Sequence, residues 1–464
     1  MDNTQGGVVK ALNEAPLGLF HLRAVLIAGM GFFTDAYDLF IIGAAEVLIK
    51  AQWAPSKYML GLLGSTALIA AFVGAFIFGR LADVLGRKRI YGLEAIIMGL
   101  GALASAFSPN IIWLLVFRFI LGIGVGGDYP VSAVLMSEYA NKNDRGKLVG
   151  LVFSMQAVGL ITGPVVALTL LASGIPGDIA WRLMLGLGSI PALAVVLMRR
   201  KMPESPRYKA RVLGREQEAE KDLAVFTGQQ VVVSASSSAK PQRMTFGQFI
   251  TNRRFLRYLV GTAGAWFLFD YAYYGNSISM PLVLKTVAPH STALTSIAWT
   301  LIVFAVAAVP GYILAFSKMD QIGHKKLQLI GFIVMGLAFA AIGIVPNMTH
   351  MVIPFLLVFG VSYFFAEFGP NTTTFVLASE VYPTSMRTTG HGLSAGFAKV
   401  GAFIGVFVFP LLTAALGLGG TLLITFVFAV VGVLVTLLLP EPSRRTMESV
   451  SGEDPPDVAS VLEA

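Results

Sequence analysis

Apolar runs long enough to cross a lipid bilayer recur along almost the whole chain, and nothing else in the sequence restricts the fold so tightly. Inside hydrocarbon every backbone N–H and C=O must be satisfied within the protein, so such a chain folds as membrane-spanning helices. The apolar windows place spans at 22–48, 57–82, 90–108, 111–138, 148–172 and 180–199, and again at 257–286, 294–316, 327–346, 351–380, 388–415 and 418–440. Charged residues make up 13% of the chain and hydrophobic ones 55%; soluble domains carry roughly 25% charged residues. The expected organisation is an all-α membrane protein with an N-terminal six-helix bundle over 1–199, a loop over 200–256, and a C-terminal six-helix bundle with its tail over 257–464. The loop is polar and basic. It includes ARVLGREQEAEKDLAVF, which suits an amphipathic surface helix, and SASSSAKPQ, which suits a flexible tract.

Orientation follows from the basic residues. Arg87, Lys88, Arg89, Lys142, Arg145, Lys147, Lys325, Lys326, Arg387 and the central loop fall on the side of the termini, whereas Lys50, Lys57 and Lys285 fall on the other, with Arg182 near a boundary. Both termini are therefore expected to be cytoplasmic. The same distribution accounts for the net charge of +8 without a nucleic-acid partner. Residues 1–21 contain neither an apolar core nor a small-residue cleavage site, so no signal peptide is expected. With no cysteine, disulfides, thiolate metal sites and cysteine nucleophiles are excluded.

The two sets of spans repeat each other. Asp83-Val-Leu-Gly86-Arg87-Lys88-Arg89 matches Asp320-Gln-Ile-Gly323-His324-Lys325-Lys326, and Pro203-Glu204-Ser205 matches Pro440-Glu441-Pro442. Ser137-Glu138 with Arg145 matches Ser379-Glu380 with Arg387, and FFTDAYD at 32–38 is similar to FLFDYAY at 267–273. Parallel halves with a site at their interface are a transporter architecture. The loop GRLADVLGRKR and the segment PESPR resemble marks of the major facilitator superfamily, which implies twelve transmembrane helices in two pseudo-symmetric bundles. In such a loop Gly86 permits a tight turn, and Asp83 can meet helix N-termini or arginines across the half. Asp83, Arg87, Glu138, Arg145, Glu380 and Arg387 are candidates for a gate at the cytoplasmic helix ends, with Arg87, Lys88 and Arg89 also setting topology.

Charge inside a membrane is costly, which makes each such residue a functional candidate. These are Asp35 and Asp38 in the first span, Arg118 and Asp128 in the fourth, Asp270 in the seventh and Lys399 in the eleventh. Asp35 and Asp38, three residues apart, are expected on one helix face. Trp266, Asp270 and Tyr274 recur every four residues, giving an indole, a carboxylate and a phenol in one stripe. Lys399, deep in AGFAKVGAFIG, is too far in to reach either surface and needs an internal anion. Arg118 is expected to partner an acid of the first or fourth span, and His391 to be a packed residue bonded to a neighbouring helix.

One cation, several carboxylates and neutral donors from Tyr129, Gln156, Trp266, Tyr274 and Asn371 suit an oxyanion that retains a hydroxyl proton. Dihydrogen phosphate accepts from the donors and donates its P–OH to a carboxylate, which sulfate cannot do at neutral pH. A protonatable organic acid fits this mixture nearly as well. Longer stretches then narrow the resemblance. GMGFFTDAYDLF (29–40), GGDYPVSAVLMSEYANKNDRG (126–146), VFSMQAVG (152–159), WFLFDYAYYG (266–275), FGPNTTTFVLASEVYPTSMR (368–387) and HGLSAGFAKVGAFIG (391–405) are similar to the phosphate:proton symporter family.

That resemblance implies phosphate contacts at Tyr129, Gln156, Trp266, Asp270, Tyr274 and Lys399, with Asn371 nearby, and proton-linked roles for Asp35, Asp38 and Asp128. It implies a proton-coupled phosphate importer of the cell membrane working by alternating access, whose partners are inorganic phosphate, protons and the bilayer. The alternative is a proton-coupled carrier of an aromatic or other organic acid on the same fold. The chain departs from the family at Glu367, an added intramembrane acid, in the wording of SEVYPTSMR, and in its short central loop. No cofactor or metal is expected, nor an enzyme, since the five histidines form no metal pair or nucleophile–base arrangement. A monomer is expected.

Overall fold

The computed structural model describes residues 7–227 and 243–453, and all regular structure in them is helical. Ten helices among these residues are long and apolar enough to cross a membrane. They are α1 (Leu19–Trp53), α2 (Tyr58–Leu85), α3 (Arg87–Ala106), α4 (Ile111–Tyr139), α5 (Arg145–Ala172), α6 (Gly177–Arg200), α8 (Leu294–Ile322), α9 (His324–Ile344), α10 (Val352–Glu380) and the run Arg387–Thr436. That last run of 50 residues breaks at Gly417, where φ is 69° and ψ 171°. Glycine adopts this backbone at little cost, and the run divides into α11 (387–416) and α12 (418–436). Between α6 and α8, α7 (Arg253–Ile278) has 26 residues, enough to span; Arg253, Arg254 and Arg257 at its start and Asp270 within it dilute its apolar content. These additions account for the expected twelve.

Lipid-facing positions are apolar: Phe76, Ile112, Ile313, Leu357 and Leu434 are all exposed. The halves meet where α2 packs along α11 and α5 along α8, and within the halves α1 packs on α5 and α7 on α11. This is the pseudo-twofold arrangement anticipated from the sequence repeats.

The repeats also build matching turns. Gly86 between α2 and α3 has φ 97°, and Gly323 between α8 and α9 has φ 103°. A Cβ at Gly86 would come 2.5 Å from Glu204 Oε2, and one at Gly323 2.7 Å from Glu441 Oε2. Those glutamates cap the following helices. Glu204 accepts from Lys88 N at 3.1 Å, and Glu441 accepts from His324 N at 2.8 Å and Lys325 N at 3.0 Å. A carboxylate at a helix N-terminus satisfies free N–H groups and complements the dipole. The PES and PEP segments therefore hold each half's turn closed.

The surface helix of the central loop differs from its expected extent. It runs Glu216–Thr227, separated from a short helix Pro206–Arg211 by Gly214 at φ 67°. Its Ala219 and Leu223 are buried, and it packs against an N-terminal helix Gly7–Glu14. The SASSSAKPQ tract lies outside the described residues. Arg207 donates to Asn13 Oδ1 at 2.6 Å and pairs with Glu448 of the C-terminal helix Met447–Ser451. Both ends of the described chain and the central segment thus share one face, called here the terminal face. Burial alone would push the Glu448 carboxyl up, but the guanidiniums of Arg207, Arg211 and Arg387 hold it at about 2. This clasp stays charged at physiological pH.

Candidate functional site

The mid-membrane lysine has its anion. Lys399 of α11 is 1% exposed, and its Nζ donates to Asp270 Oδ2 and to Tyr274 Oη, both of α7 and both at 3.0 Å. The spacing of Asp270 and Tyr274 places both on the face of α7 turned to α11. The ammonium also lies 4.6 Å from the ring centroid of Tyr129 and 4.4 Å from that of Tyr274, near enough for cation–π attraction. Tyr129 belongs to α4, so the cation sits at the junction of the two halves. Trp266, one turn before Asp270, packs against Tyr129 with ring centroids 5.9 Å apart.

A hydrogen-bonded chain runs on from Tyr129. Its hydroxyl donates to Asp35 Oδ2 at 2.7 Å. Gln156 Nε2 reaches the Tyr129 hydroxyl at 3.1 Å and Asp35 Oδ2 at 3.4 Å. Tyr312 of α8 donates across the interface to Gln156 Oε1 at 3.2 Å, and Asn371 Nδ2 donates to the Tyr312 hydroxyl at 2.8 Å and to Glu367 Oε2. All seven residues expected around the substrate therefore lie in one buried cluster, together with Asp35. Tyr312, which completes the link between halves, was not anticipated, because a tyrosine in an apolar run resembles core packing.

The other two acids lie elsewhere. Asp38 diverges from Asp35 because three residues advance a helix by about 300°, leaving the two carboxylates about 60° apart. That difference turns Asp38 into the N-terminal half, where it faces Gly188 of α6. Arg118 is beside it, donating to the Asp38 carbonyl at 3.3 Å, as expected for a partner of the first span. Asp128 is clasped by Arg199 of α6 through two bonds of 2.7 and 3.0 Å, receives Ser132 at 2.6 Å, and shares Arg199 with Glu94 at 2.8 Å. Arg199 escaped the sequence reading because, beside Arg200 and Lys201, it looks like a topology charge.

A family model described as "Sugar (and other) transporter" matches residues 24–453. Among similar proteins are a "Probable inorganic phosphate transporter 1-6" of Arabidopsis thaliana, 34% identical over 98% of each chain, and a "Low affinity inorganic phosphate transporter 4" of Petunia hybrida, 35% identical over 96% of this chain and 94% of its own. The chain belongs to the sugar (and other) transporter family. Its relatives over nearly the full length are inorganic phosphate transporters, and with its apolar spans it is a multi-pass membrane protein. Its fold is that of the proton:xylose symporter XylE bound to 6-bromo-6-deoxy-D-glucose, with a TM-score of 0.78 at 19% identity over 94% of this chain and 99% of that one. XylE from E. coli in an inward-open conformation gives 0.67 at 20% identity, over 93% and 99%.

In this transporter the site is shut on both sides. Toward the terminal face, Phe375 of α10 packs on Phe153, Phe32, Trp266 and Tyr129, with centroids 4.5, 5.0, 6.2 and 6.2 Å away. His391 closes the same layer, bonded to the Phe375 carbonyl at 3.2 Å. On the opposite side Phe40 stacks over Tyr274 at 6.1 Å. Beyond it lies a cavity of about 30 Å³ lined by Phe40, Gly43, Ser277, Thr300 and Phe304.

Ion pairs tie the halves together at the terminal face. Glu138 takes Arg87 of its own half and Arg387 of the other, each at 3.1 Å. Glu380 takes His324 of its own half at 2.8 Å and Arg145 of the other at 2.6 Å. Asp83 accepts from Thr388 N and Thr389 N at the start of α11, at 3.3 and 2.6 Å, and Asp320 accepts from Gly146 N and Lys147 N at the start of α5, at 3.0 and 2.7 Å. Each loop aspartate thus caps a helix of the opposite half. Asp320 and His324 enter this network as symmetry mates of Asp83 and Arg87, and the sequence repeat already contained that pairing.

Proposed function

We propose that this chain imports inorganic phosphate together with protons by alternating access. The observation that carries this reading is the Lys399–Asp270–Tyr274 constellation, buried between the halves of a protein similar to inorganic phosphate transporters over nearly its full length. Phosphate displaces the direct ion pair. Its charged oxygens take Lys399, Tyr129, Tyr274, Gln156, Trp266 and Asn371, and its P–OH donates to Asp270. A planar organic acid is the second reading, and the same cation would take its carboxylate.

Asp35 is the proton carrier in this scheme, since it contacts Tyr129 and faces the site. Asp38, with no donor on either carboxylate oxygen, is a second carrier in the N-terminal half. Asp128, held by Arg199, keeps α4 and α6 in place. The ion pairs and capping aspartates at the terminal face, which is cytoplasmic, form the inner gate. They break when the halves rock to release phosphate inward. The protein acts as a monomer, each chain holding a whole site.

Asp35→Asn tests the scheme in proteoliposomes. The variant is expected to exchange internal for external labelled phosphate but to lose the acceleration that an acidic exterior gives the parent protein. A pH profile identical to the parent's removes the proton from Asp35.

A further inference from the structure

Glu367 has no place in the scheme so far, and its surroundings are unlike those of the other buried acids. Asp35 and Asp270 face Lys399, Asp38 faces Arg118, and Asp83 and Glu138 face Arg87. Glu94 and Asp128 share Arg199, Glu380 holds Arg145 and His324, and Glu448 holds Arg207. Glu367 is fully buried, yet among the described residues no Lys, Arg or His pairs with it. Its neighbours are neutral: Tyr273 of α7, Tyr312 of α8, and Asn371 and Tyr363 of its own helix. From α8, Gly311 gives close backbone contact, and a Cβ there would lie 2.9 Å from Glu367 Cβ. An acid that only joins helices would be expected to have a cation, as the others do.

Local geometry aims this carboxyl inward. Residues Glu367–Asn371 form a π-helical turn within α10, with Gly369 outside helical geometry and Pro370 inside the turn. Such turns displace side chains from the regular face and recur at functional sites. One oxygen, Oε2, accepts from Asn371, which begins the chain leading through Tyr312 and Gln156 to Asp35. The other, Oε1, accepts no hydrogen bond of good geometry, and the Tyr273 hydroxyl is the donor beside it. On the outer side, Ser277 lines the small cavity and bonds the Tyr363 hydroxyl at 2.7 Å, one turn of α10 from Glu367. This polar trail leads from the outer cavity toward the carboxyl.

We propose that Glu367 is a further coupling site of the transport cycle, the one in the C-terminal half, binding one proton in addition to those carried by Asp35 and Asp38. Its carboxylate takes a proton from water reaching the outer cavity and returns it to water at the terminal face, and only O–H bonds are made or broken. An uncompensated carboxylate and an incoming phosphate repel, so substrate loading and protonation of Glu367 favour each other. The amides in the linking chain make it a coupling path rather than a proton wire. Opening of the halves cuts it at the Tyr312–Gln156 bond.

The inference rests on the proton-coupled phosphate reading, and one experiment separates the two. In proteoliposomes with a fixed phosphate gradient and a clamped membrane potential, the pH gradient at which net phosphate flux vanishes gives the protons moved per phosphate. Glu367→Gln, which keeps the shape of the protonated acid, is expected to move one proton fewer than the parent; an unchanged number overturns the inference. If the parent's flux ignores the proton gradient, the underlying reading falls instead. Should Glu367→Gln not fold, Tyr273→Phe keeps the acid and removes a hydroxyl that stabilises its ionised form. Its uptake profile is expected to move to higher pH, and an unmoved profile equally overturns the inference.

Discussion

Asp270→Asn is expected to cut phosphate uptake about 10- to 100-fold, because a hydrogen bond to a charged group is worth about 1.5–3 kcal/mol and each 1.4 kcal/mol is tenfold. Asparagine fills the same volume and its carbonyl oxygen still accepts from Lys399, so the helices α7 and α11 remain packed and the protein stays folded. What disappears is the carboxylate that accepts the P–OH of the monoanion. The unneutralised ammonium then favours fully charged anions, so sulfate should compete better against phosphate than it does in the parent. Transport assays of the purified variant, with sulfate as competitor, measure both effects. Uptake within twofold of the parent would remove Asp270 from substrate recognition.

The largest effect on stability is expected from Arg199→Met. Arg199 is fully buried and neutralises Asp128 and Glu94 together. Removing one partner of a buried ionic group costs about 3–5 kcal/mol, chiefly through the charge left unpaired. Here two carboxylates would be left facing each other, joining α3 to α4 with no cation between them. Thermal unfolding in detergent should show a large loss for Arg199→Met. Much of that loss should return when Glu94→Gln and Asp128→Asn are added, since a neutral set no longer carries the buried charge. An unaltered melting temperature in the single variant would mean that the triad is not holding α6 against α3 and α4.

The spans were legible because the bilayer imposes a length and a composition on every helix that crosses it. Lys399 was legible for a related reason: an ammonium that deep in an apolar run must have an anion, and Asp270 on a face shared with Tyr274 was available. Azimuth was harder to read. Asp35 and Asp38 look equivalent in sequence, yet their angular separation on α1 sends one toward the interface and the other toward α6 and Arg118. Residues that join the halves, such as Tyr312 and Phe375, carry no sequence mark, since aromatic rings are as common in lipid-facing and core positions as in gates. Glu367 was visible as a departure from the family, but that no cation pairs with it among the described residues depends on which faces of α7 and α8 turn toward it. The repeats revealed the network at the terminal face only in part. They related Asp83 to Asp320, but not the exchange by which each caps a helix of the opposite half.

The most direct measurement is uptake of labelled phosphate by the parent protein, purified and reconstituted alone in liposomes, with an acidic exterior imposed. Phosphate should accumulate above its external concentration, the accumulation should collapse with a protonophore, and unlabelled phosphate should compete while sulfate and benzoate do not. Uptake indifferent to the imposed gradient, or carriage of benzoate with phosphate excluded, would contradict a Lys399–Asp270 site built for a partly protonated inorganic oxyanion.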